Sequence, residues 1–202
     1  MRGEQSDGAV DSGFSELDGM TGGLRGSELL ILAARPSMGK TAFAMNIAEN
    51  VAMRGNSPVL FVSLEMSAIE LIERMMCSVA RVNGHRLRNG TISQEDRKKL
   101  VEKAAEISES PLYIDDAPGR TAAEIAAAAR RIKRIEKNSS DRPSPLGLIV
   151  IDYLQLVEPD NPRDPRQEQV AKIARRLKGL SRELDVPVLC LAQLNRQAED
   201  SK

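Results

Sequence analysis

Five short runs of apolar residues alternate along the chain with longer stretches in which apolar residues recur at helical spacing. The short runs are continuously apolar, which is typical of strands buried on both faces of a parallel sheet, whereas the longer stretches are typical of helices packed on such a sheet. This alternation predicts an α/β fold with a mainly parallel β-sheet flanked by helices. The predicted strands cover residues 29–33, 59–63, 112–114, 148–151 and 188–192.

The stretches between these runs carry helix-boundary signals. A Ser or Thr followed three positions later by Glu forms a capping box, in which each side chain accepts a hydrogen bond from the backbone N–H group of the other residue. A further helix is predicted over residues 40–54, and Gly55 lies where a C-cap glycine is expected. The two capping boxes pair Ser67 with Glu70 and Thr121 with Glu124.

The length of the chain, 202 residues, is enough for one domain with a substantial core. Residues 1–13 are polar and glycine-rich and are predicted to be a flexible tail or the end of a linker, so the domain is assigned to residues 14–202. Because the chain stops soon after the fifth predicted strand, we expect this domain to be incomplete at its C-terminus. No apolar run approaches the ~20 residues of a membrane-spanning helix, and the N-terminus has no apolar signal core, so we expect a cytoplasmic protein without membrane contact.

Charge and cysteine content exclude several classes of function. Lys plus Arg and Asp plus Glu both number 29, so the chain as a whole lacks the positive charge of a simple DNA-binding module. A local basic channel, or one built from several subunits, is still compatible with this balance. Cys77 and Cys190 each lie in an apolar stretch and His85 is the only histidine, so we expect two buried, reduced thiols and no zinc site.

One loop between a predicted strand and a predicted helix is similar to the phosphate-binding pattern G-x-x-x-x-G-K-[ST]. Ala34 replaces the first glycine, and the later positions match. Gly39 lets the backbone approach phosphate groups, Lys40 supplies positive charge for the β- and γ-phosphates, and the Thr41 hydroxyl is a ligand for Mg²⁺. The loop therefore predicts binding of a nucleoside triphosphate, with ATP and Mg²⁺ expected. The candidate phosphate-binding residues are Ala34, Arg35, Pro36, Ser37, Met38, Gly39, Lys40, Thr41 and Ala42.

Polar residues at the ends of other predicted strands complete this candidate site. Asp152 follows an apolar strand and is the candidate acid that holds Mg²⁺ through water, since ligands of parallel sheets bind at the carboxyl ends of the strands. Glu65 is the candidate catalytic carboxylate that orients and polarises the attacking water. Asp115 and Asp116 end a shorter strand and are alternatives. Gln193 ends the fifth strand, where its amide is placed to sense the γ-phosphate.

Five segments of the chain match, in order, the motifs of one known family: 22–24, 33–41, 63–66, 151–156 and 193–196. They resemble the ATPase domain of DnaB-type bacterial replicative helicases, a likeness that runs from about residue 14 to 196. In that family an alanine at the first phosphate-loop position is familiar. The resemblance implies a RecA-like P-loop NTPase core in a ring-shaped homohexamer. It also implies ATP-driven movement along single-stranded DNA, unwinding at the replication fork, and a primase and a helicase loader as partners.

The same resemblance implies a role for each candidate residue. Lys40 and Thr41 bind phosphate and Mg²⁺, and Gln193 is the sensor. Glu65 is the catalytic carboxylate, and Asp152 is the acid that holds Mg²⁺.

The resemblance implies that two parts of the family's proteins lie outside these 202 residues. We expect one to be the N-terminal helical domain, which in the family gathers the ring and contacts primase. We expect the other to be the part that follows the 193–196 segment, which in the family carries the arginine finger and much of the DNA-contacting loop region. An arginine finger raises the kcat of phosphoryl transfer by ~10³–10⁵-fold. We therefore expect this chain alone to be a weak ATPase and a poor helicase.

Two helical segments and one loop carry basic residues whose role the sequence leaves open. They are either solvated helix faces or surfaces for DNA or a neighbouring subunit. In the resembling family the loop after the Asp152 strand faces the central channel, which makes Arg163 and Arg166 candidate DNA contacts. The helical residues are Arg130, Arg131, Lys133 and Arg134 on one segment and Lys172, Arg175, Arg176 and Lys178 on the other.

Two other functions compete with the helicase motor. A RecA-like recombination or repair ATPase shares the superfamily, but segments 35–38, 64–66 and 193–196 disfavour it. A nucleotide-binding assembly module would bind ATP through Lys40 without turnover. ATPase measurements on the wild type and Glu65→Gln distinguish this module from a motor.

Overall fold

A five-stranded parallel sheet forms the centre of the protein. The computed structural model describes residues 8–138 and 145–194. Within them the strands follow the spatial order β1-β5-β4-β2-β3, and every pair of neighbours is parallel. The predicted α/β fold is therefore confirmed. The strands are β1 (Leu29–Ala34), β2 (Val59–Ser63), β3 (Leu112–Asp115), β4 (Leu148–Asp152) and β5 (Val188–Gln193).

Helices connect these strands and cover both faces of the sheet. Both predicted capping boxes are present at helix N-termini, with Ser67 accepting from the backbone N–H of Glu70 and Thr121 accepting from that of Glu124. Two short helices, α1 and α4, were not predicted because neither carries a long apolar stripe. The helices of the described residues are α1 (Ser15–Thr21), α2 (Lys40–Glu49), α3 (Ala68–Ala80), α4 (Gly84–Arg88), α5 (Gln94–Glu109), α6 (Ala122–Lys137) and α7 (Arg166–Leu184), and a 3₁₀ turn spans Leu154–Leu156.

Successive side chains along the central strands point to opposite faces of the sheet and pack in two separate hydrophobic cores. On β4, Ile149 and Ile151 pack in the cluster that includes α6 and α7, whereas Leu148 and Val150 pack in the cluster that includes α2 and α3. Each of these four side chains is fully buried. Full burial of such a side chain stabilises the fold by about 1.5–3 kcal/mol, so the two cores fix the sheet firmly between its helical layers.

Among the described residues, β1 is not buried on both faces as its apolar run predicts. Within them β5 is its one neighbour in the sheet, and none of the β1 residues is fully buried. Ile31 is 48% exposed. The apolar run of β1 matches that of a central strand, because sequence periodicity does not record which strands lie beside it.

The helix predicted over residues 40–54 changes geometry part of the way along. It is α-helical to Glu49 and continues as a π-helical turn over Asn50–Arg54. Gly55 follows with φ of −79°, so it is not a left-handed cap. A Cβ atom on Gly55 would lie 2.7 Å from the carbonyl oxygen of Val51, so close backbone approach is what this position requires.

The packed part of the domain begins before residue 14. The backbone of Val10 exchanges two hydrogen bonds with Leu24, each 2.8 Å long, and Ser12 is fully buried. The sequence predicts a tail here because the polar and glycine-rich composition of these residues gives no periodic signal. Among the described residues, no helix is both long and apolar enough to cross a membrane.

Candidate active site

The strand order brings the ends of four strands side by side. From β1 through β5 and β4 to β2 the strands are neighbours and run in the same direction, so the residues that end them meet at one edge. Asp152 pairs in register with Ser63, just before Glu65, and Gln193 pairs with Ala34 at the start of the phosphate loop. Residues from four separate parts of the sequence therefore lie along one edge.

The phosphate loop is held in an open conformation by two residues with positive φ. Ser37 has φ of 63°, and Gly39, with φ of 81°, is the N-cap of α2. A side chain at position 39 would meet no neighbour, so backbone conformation rather than space is what favours glycine there. The first N–H groups of α2 lie at the positive end of its dipole, directly after this loop, and such a position suits phosphate oxygens.

Thr41 and Asp152 join the loop to the sheet. The Thr41 hydroxyl donates a 2.7 Å hydrogen bond to Oδ2 of Asp152, while Oδ1 of Asp152 has no hydrogen-bond partner among the described residues. Asp152 is fully buried, and burial is the main cause that raises its pKa. A buried carboxylate oxygen without a donor, beside a hydroxyl, fits the preference of Mg²⁺ for oxygen ligands with several retained waters.

Lys40 reaches from the loop to the end of β5. Its Nζ donates a 3.3 Å hydrogen bond to the carbonyl oxygen of Ala192 and lies 5.0 Å from the ring centroid of Tyr153. Its positive charge opposes the rise in the pKa of Asp152. The ammonium group is therefore held at the same edge by a carbonyl and an aromatic face, both of which are weak enough partners to be exchanged for phosphate.

Glu65 lies on a turn that Ser63 and Asp152 hold in place. The Ser63 hydroxyl donates to the carbonyl oxygen of Met66 at 2.6 Å, and the Leu64 N–H donates to the carbonyl oxygen of Asp152 at 2.8 Å. Glu65 is exposed, and its negative charge contributes to raising the pKa of Asp152. The Glu65 carboxylate is thus close enough to interact with the buried acid while facing solvent.

The alternative carboxylates are used elsewhere. Asp115 forms an ion pair with Arg120 at 3.0 Å, and Asp116 accepts a 2.7 Å hydrogen bond from the N–H of Ala68 at the start of α3. Asp115 ends β3 and Asp116 follows it, and β3 is at the opposite end of the strand order from β1. Their positions favour Glu65 over either of them as the candidate catalytic carboxylate, and its role stays a prediction.

Gln193 lies between the phosphate loop and Gln155, for which the sequence predicted no role. The side-chain amide of Gln155 donates to the carbonyl oxygen of Gln193 at 3.0 Å and accepts from its N–H at 3.3 Å. Tyr153 and Ser63 were likewise given no role. The sequence signal for Ser63 was a polar residue inside an apolar run. The contacts of Tyr153 and Gln155 join distant parts of the chain, so no local sequence signal predicted a role for them. Asn195 and Arg196 of the last matched segment lie outside the described residues.

Several basic side chains on α6 and α7 bond to other parts of the domain. Arg130 forms a two-pronged pair with Glu183 at 2.7 and 2.8 Å, which links the two helices. These contacts support helix packing and solvated faces as the role of both clusters. The further contacts are Lys133 with the carbonyl oxygen of Leu184, Lys172 with Asp164 and Glu168, Arg176 with Asp160, and Lys178 with the carbonyl oxygen of Ser27.

The phosphate loop after β1, facing an acid on β4 two strands away, defines the class of this protein: it is a P-loop NTPase domain with a RecA-like core. The family follows from comparison with known proteins. The sequence model described as "DnaB-like helicase C terminal domain" matches residues 9–202, so the chain belongs to that family. The resemblance of the motif segments to DnaB-type helicases is thereby confirmed.

Several relatives and solved structures are similar to this chain. It is 46% identical over 191 residues to the replicative DNA helicase DnaC of Bacillus subtilis (strain 168), covering 94% of this chain and 40% of that protein. It is 47% identical to the replicative DNA helicase DnaB of Geobacillus stearothermophilus, with the same coverage of both. The chain thus spans about 40% of the length of these curated relatives.

The solved structures agree in fold. One solved ATPase domain is 38% identical and superimposes with a TM-score of 0.88, covering 99% of this chain and 69% of that one. A structure described as a DnaB-like replicative helicase and its interactions with primase is 39% identical, with a TM-score of 0.87, and covers all of this chain and 48% of that one.

Proposed function

We propose that this domain binds ATP with Mg²⁺ and hydrolyses it, and that the full-length protein uses hydrolysis to move along single-stranded DNA and unwind duplex at a replication fork in the cytoplasm. The observation that carries the proposal is the Thr41–Asp152 pair, in which one buried carboxylate oxygen has no donor from the part of the chain that the structure describes, at the edge where Lys40 and Glu65 also lie. Family membership favours this helicase motor over a recombination ATPase.

The residues of the edge have distinct tasks in this proposal. Lys40 exchanges the Ala192 carbonyl for the β- and γ-phosphates, while the N–H groups of the loop and of α2 bind the phosphate oxygens. Mg²⁺ held beside Thr41 and Asp152 would neutralise charge that develops on the phosphates. Glu65 orients a water molecule for attack on the γ-phosphorus as the bond to the ADP oxygen breaks, and it accepts the proton of that water.

Nucleotide binding is tested on the chain of 202 residues. A fluorescent ATP analogue should bind the wild type in the presence of Mg²⁺, and Lys40→Ala should weaken binding by ~10-fold or more, because a charge-assisted contact is worth about 1.5–3 kcal/mol. Lys98→Ala is the matched control, since Lys98 lies on α5 with its side chain 80% exposed. Equal affinities for the wild type and Lys40→Ala would exclude the proposed site.

Turnover is tested in the full-length protein, with and without single-stranded DNA. Glu65→Gln should retain nucleotide binding and lose at least ~10²-fold in kcat, the lower range for removing a general base. Glu102→Gln, on the exposed face of α5, is the matched control. Absence of turnover in the wild type itself would favour the assembly module that binds ATP without hydrolysis.

The expected partners follow from likeness to whole helicases and are proposals for the full-length protein. They are single-stranded DNA, identical subunits in a hexamer, a primase and a helicase loader. Arg163 is the basic residue we propose to contact the DNA backbone. Arg166 is instead bonded within the domain, to the Gln155 carbonyl and to Gln169. Arg163→Ala should weaken single-strand binding and lower the slope of log affinity against log salt concentration by about one, the effect of losing one phosphate contact. Equal binding by the variant and the wild type would show that Arg163 is not in the interface.

A further inference from the structure

The turn after β4 connects the end of β5 to the loop that follows the turn through one residue, Gln155. We propose that Gln155 is a positioning residue that couples the nucleotide-dependent position of Gln193 to segment 157–165. The inference rests on the proposed function, because it takes Gln193 as the sensor of the γ-phosphate. Gln155 lies in the 3₁₀ turn and contacts no group that reacts, so its effect is exerted through its two neighbours.

On the side of Gln193, the Gln155 side chain forms the hydrogen bonds that a neighbouring strand would otherwise form. Pairing between β4 and β5 ends at Ile151 opposite Cys190, yet β5 continues to Gln193. The Gln155 amide supplies both bonds, donating to the Gln193 carbonyl and accepting from its N–H. A side-chain amide carries the same donor and acceptor as a peptide group, so Gln155 extends the sheet by one residue on this side.

The other side of the β5 end faces the phosphate loop. The N–H of Leu194 donates to the carbonyl oxygen of Ala34 at 3.2 Å, and the carbonyl oxygen of Ala192 accepts from Lys40. Departure of Lys40 to a bound phosphate removes one of these contacts. The end of β5 therefore changes partners on the nucleotide side while Gln155 holds its opposite side.

On the loop side, the backbone of the same residue is tied to α7. The carbonyl oxygen of Gln155 accepts from the guanidinium of Arg166, which also donates to Oε1 of Gln169 at 3.0 Å. Gln169 is buried, and its amide donates to the carbonyl oxygens of Asp164 at 2.8 Å and Pro162 at 3.2 Å. A shift of Gln155 therefore reaches segment 157–165 through Arg166 and Gln169.

Hydrogen–deuterium exchange of the chain with bound ATPγS and with bound ADP tests this coupling. In the wild type the exchange of peptides covering 157–165 should differ between the two nucleotides, and Gln155→Ala should abolish the difference. The ratio of the ADP and ATPγS dissociation constants should also fall by about fivefold, the scale of losing neutral hydrogen bonds. Gln167→Ala, an exposed glutamine on α7, should behave as the wild type.

The outcomes separate the coupling from a structural role and from the proposed function. A purely structural role would raise exchange equally with both nucleotides and leave the difference intact, which overturns the proposal. Gln155→Glu retains the acceptor and removes the donor, so loss of the nucleotide-dependent difference in this variant supports the coupling even if Gln155→Ala does not fold. A wild type that binds ATPγS without any change in 157–165 overturns the coupling alone. A wild type that binds no nucleotide overturns the proposed function.

Discussion

Replacing Asp152 with asparagine should stabilise the nucleotide-free domain and weaken its binding of Mg²⁺–ATP. The carboxylate is fully buried, receives one hydrogen bond from Thr41, and has a second oxygen without a donor among the described residues. Asparagine has nearly the same shape, keeps an acceptor for Thr41 and removes the buried charge, but its amide nitrogen then stands without a partner in place of the second oxygen. An unsatisfied buried group costs about 1–3 kcal/mol when neutral and more when charged, so we expect a net gain of about 1 kcal/mol from removal of the charge.

This gain should depend on pH in a defined direction. Burial, with a further contribution from Glu65, raises the pKa of Asp152 above its ordinary value of 3.8, against the opposing effects of Thr41 and Lys40. A carboxyl whose folded-state pKa is raised favours folding below the unfolded-state pKa, and this contribution is lost as pH rises through the folded-state value. The advantage of Asp152→Asn should therefore be full at pH 8 and shrink as pH falls toward 4.

Thermal unfolding with EDTA and without nucleotide, between pH 8 and pH 4.5, measures the effect. A domain of this size changes Tm by about 2–4 °C per kcal/mol. With Mg²⁺ and ATPγS the order should reverse, because only the wild type is strongly stabilised by the ligand. Asp160→Asn is the control, since that side chain is 43% exposed. If Asp152→Asn is less stable than the wild type at pH 8, by an amount independent of pH, then the partners of Asp152 do offset its buried charge and the reasoning is refuted.

Three further predictions concern the cores and the helix ends. Ile125→Ala should lower the free energy of unfolding by about 2–5 kcal/mol, measured by urea denaturation, because Ile125 is fully buried against α7 and the sheet. Ser67→Ala removes the N-cap acceptor of α3 and should lower stability by about 1 kcal/mol in the same assay. Cys190 should resist iodoacetamide at pH 8 until the protein unfolds, since burial raises the pKa of its thiol to about 12; peptide mapping by mass spectrometry reads this out.

The sequence predicted those parts of the fold that local patterns determine. Continuous apolar runs located all five strands, and the Ser67 and Thr121 patterns located two helix starts that the structure has. Ligands bind at the carboxyl ends of parallel strands, so the sequence also predicted Asp152 and Glu65 at the same edge as the phosphate loop without the strand order. Each of these inferences needs only neighbouring residues or a general property of parallel strands.

What the sequence missed depends on contacts between distant segments. The incomplete burial of β1 among the described residues follows from the strand order, which no local pattern records. The contacts of Gln155 with Gln193 join residues 38 positions apart, and a glutamine in that turn has no periodic signature. The basic residues of α6 and α7 looked equally suited to DNA, because their acidic partners, such as Glu183 for Arg130, lie on another helix or in a loop.

The site divides into a donor side and an acceptor side that are held in different ways. The donors Lys40 and Thr41 come from the loop and α2, whereas the acids Asp152 and Glu65 follow β4 and β2, whose register is fixed by backbone pairing. Backbone pairing therefore holds the position of Asp152. The nearby thiol of Cys190 stays neutral and offsets none of the carboxylate charge, since burial and the Asp152 charge raise the pKa of that thiol. A buried, under-compensated acid beside Lys40 and Thr41 favours a cationic ligand, so the stability given up at Asp152 is what we expect Mg²⁺–ATP to restore.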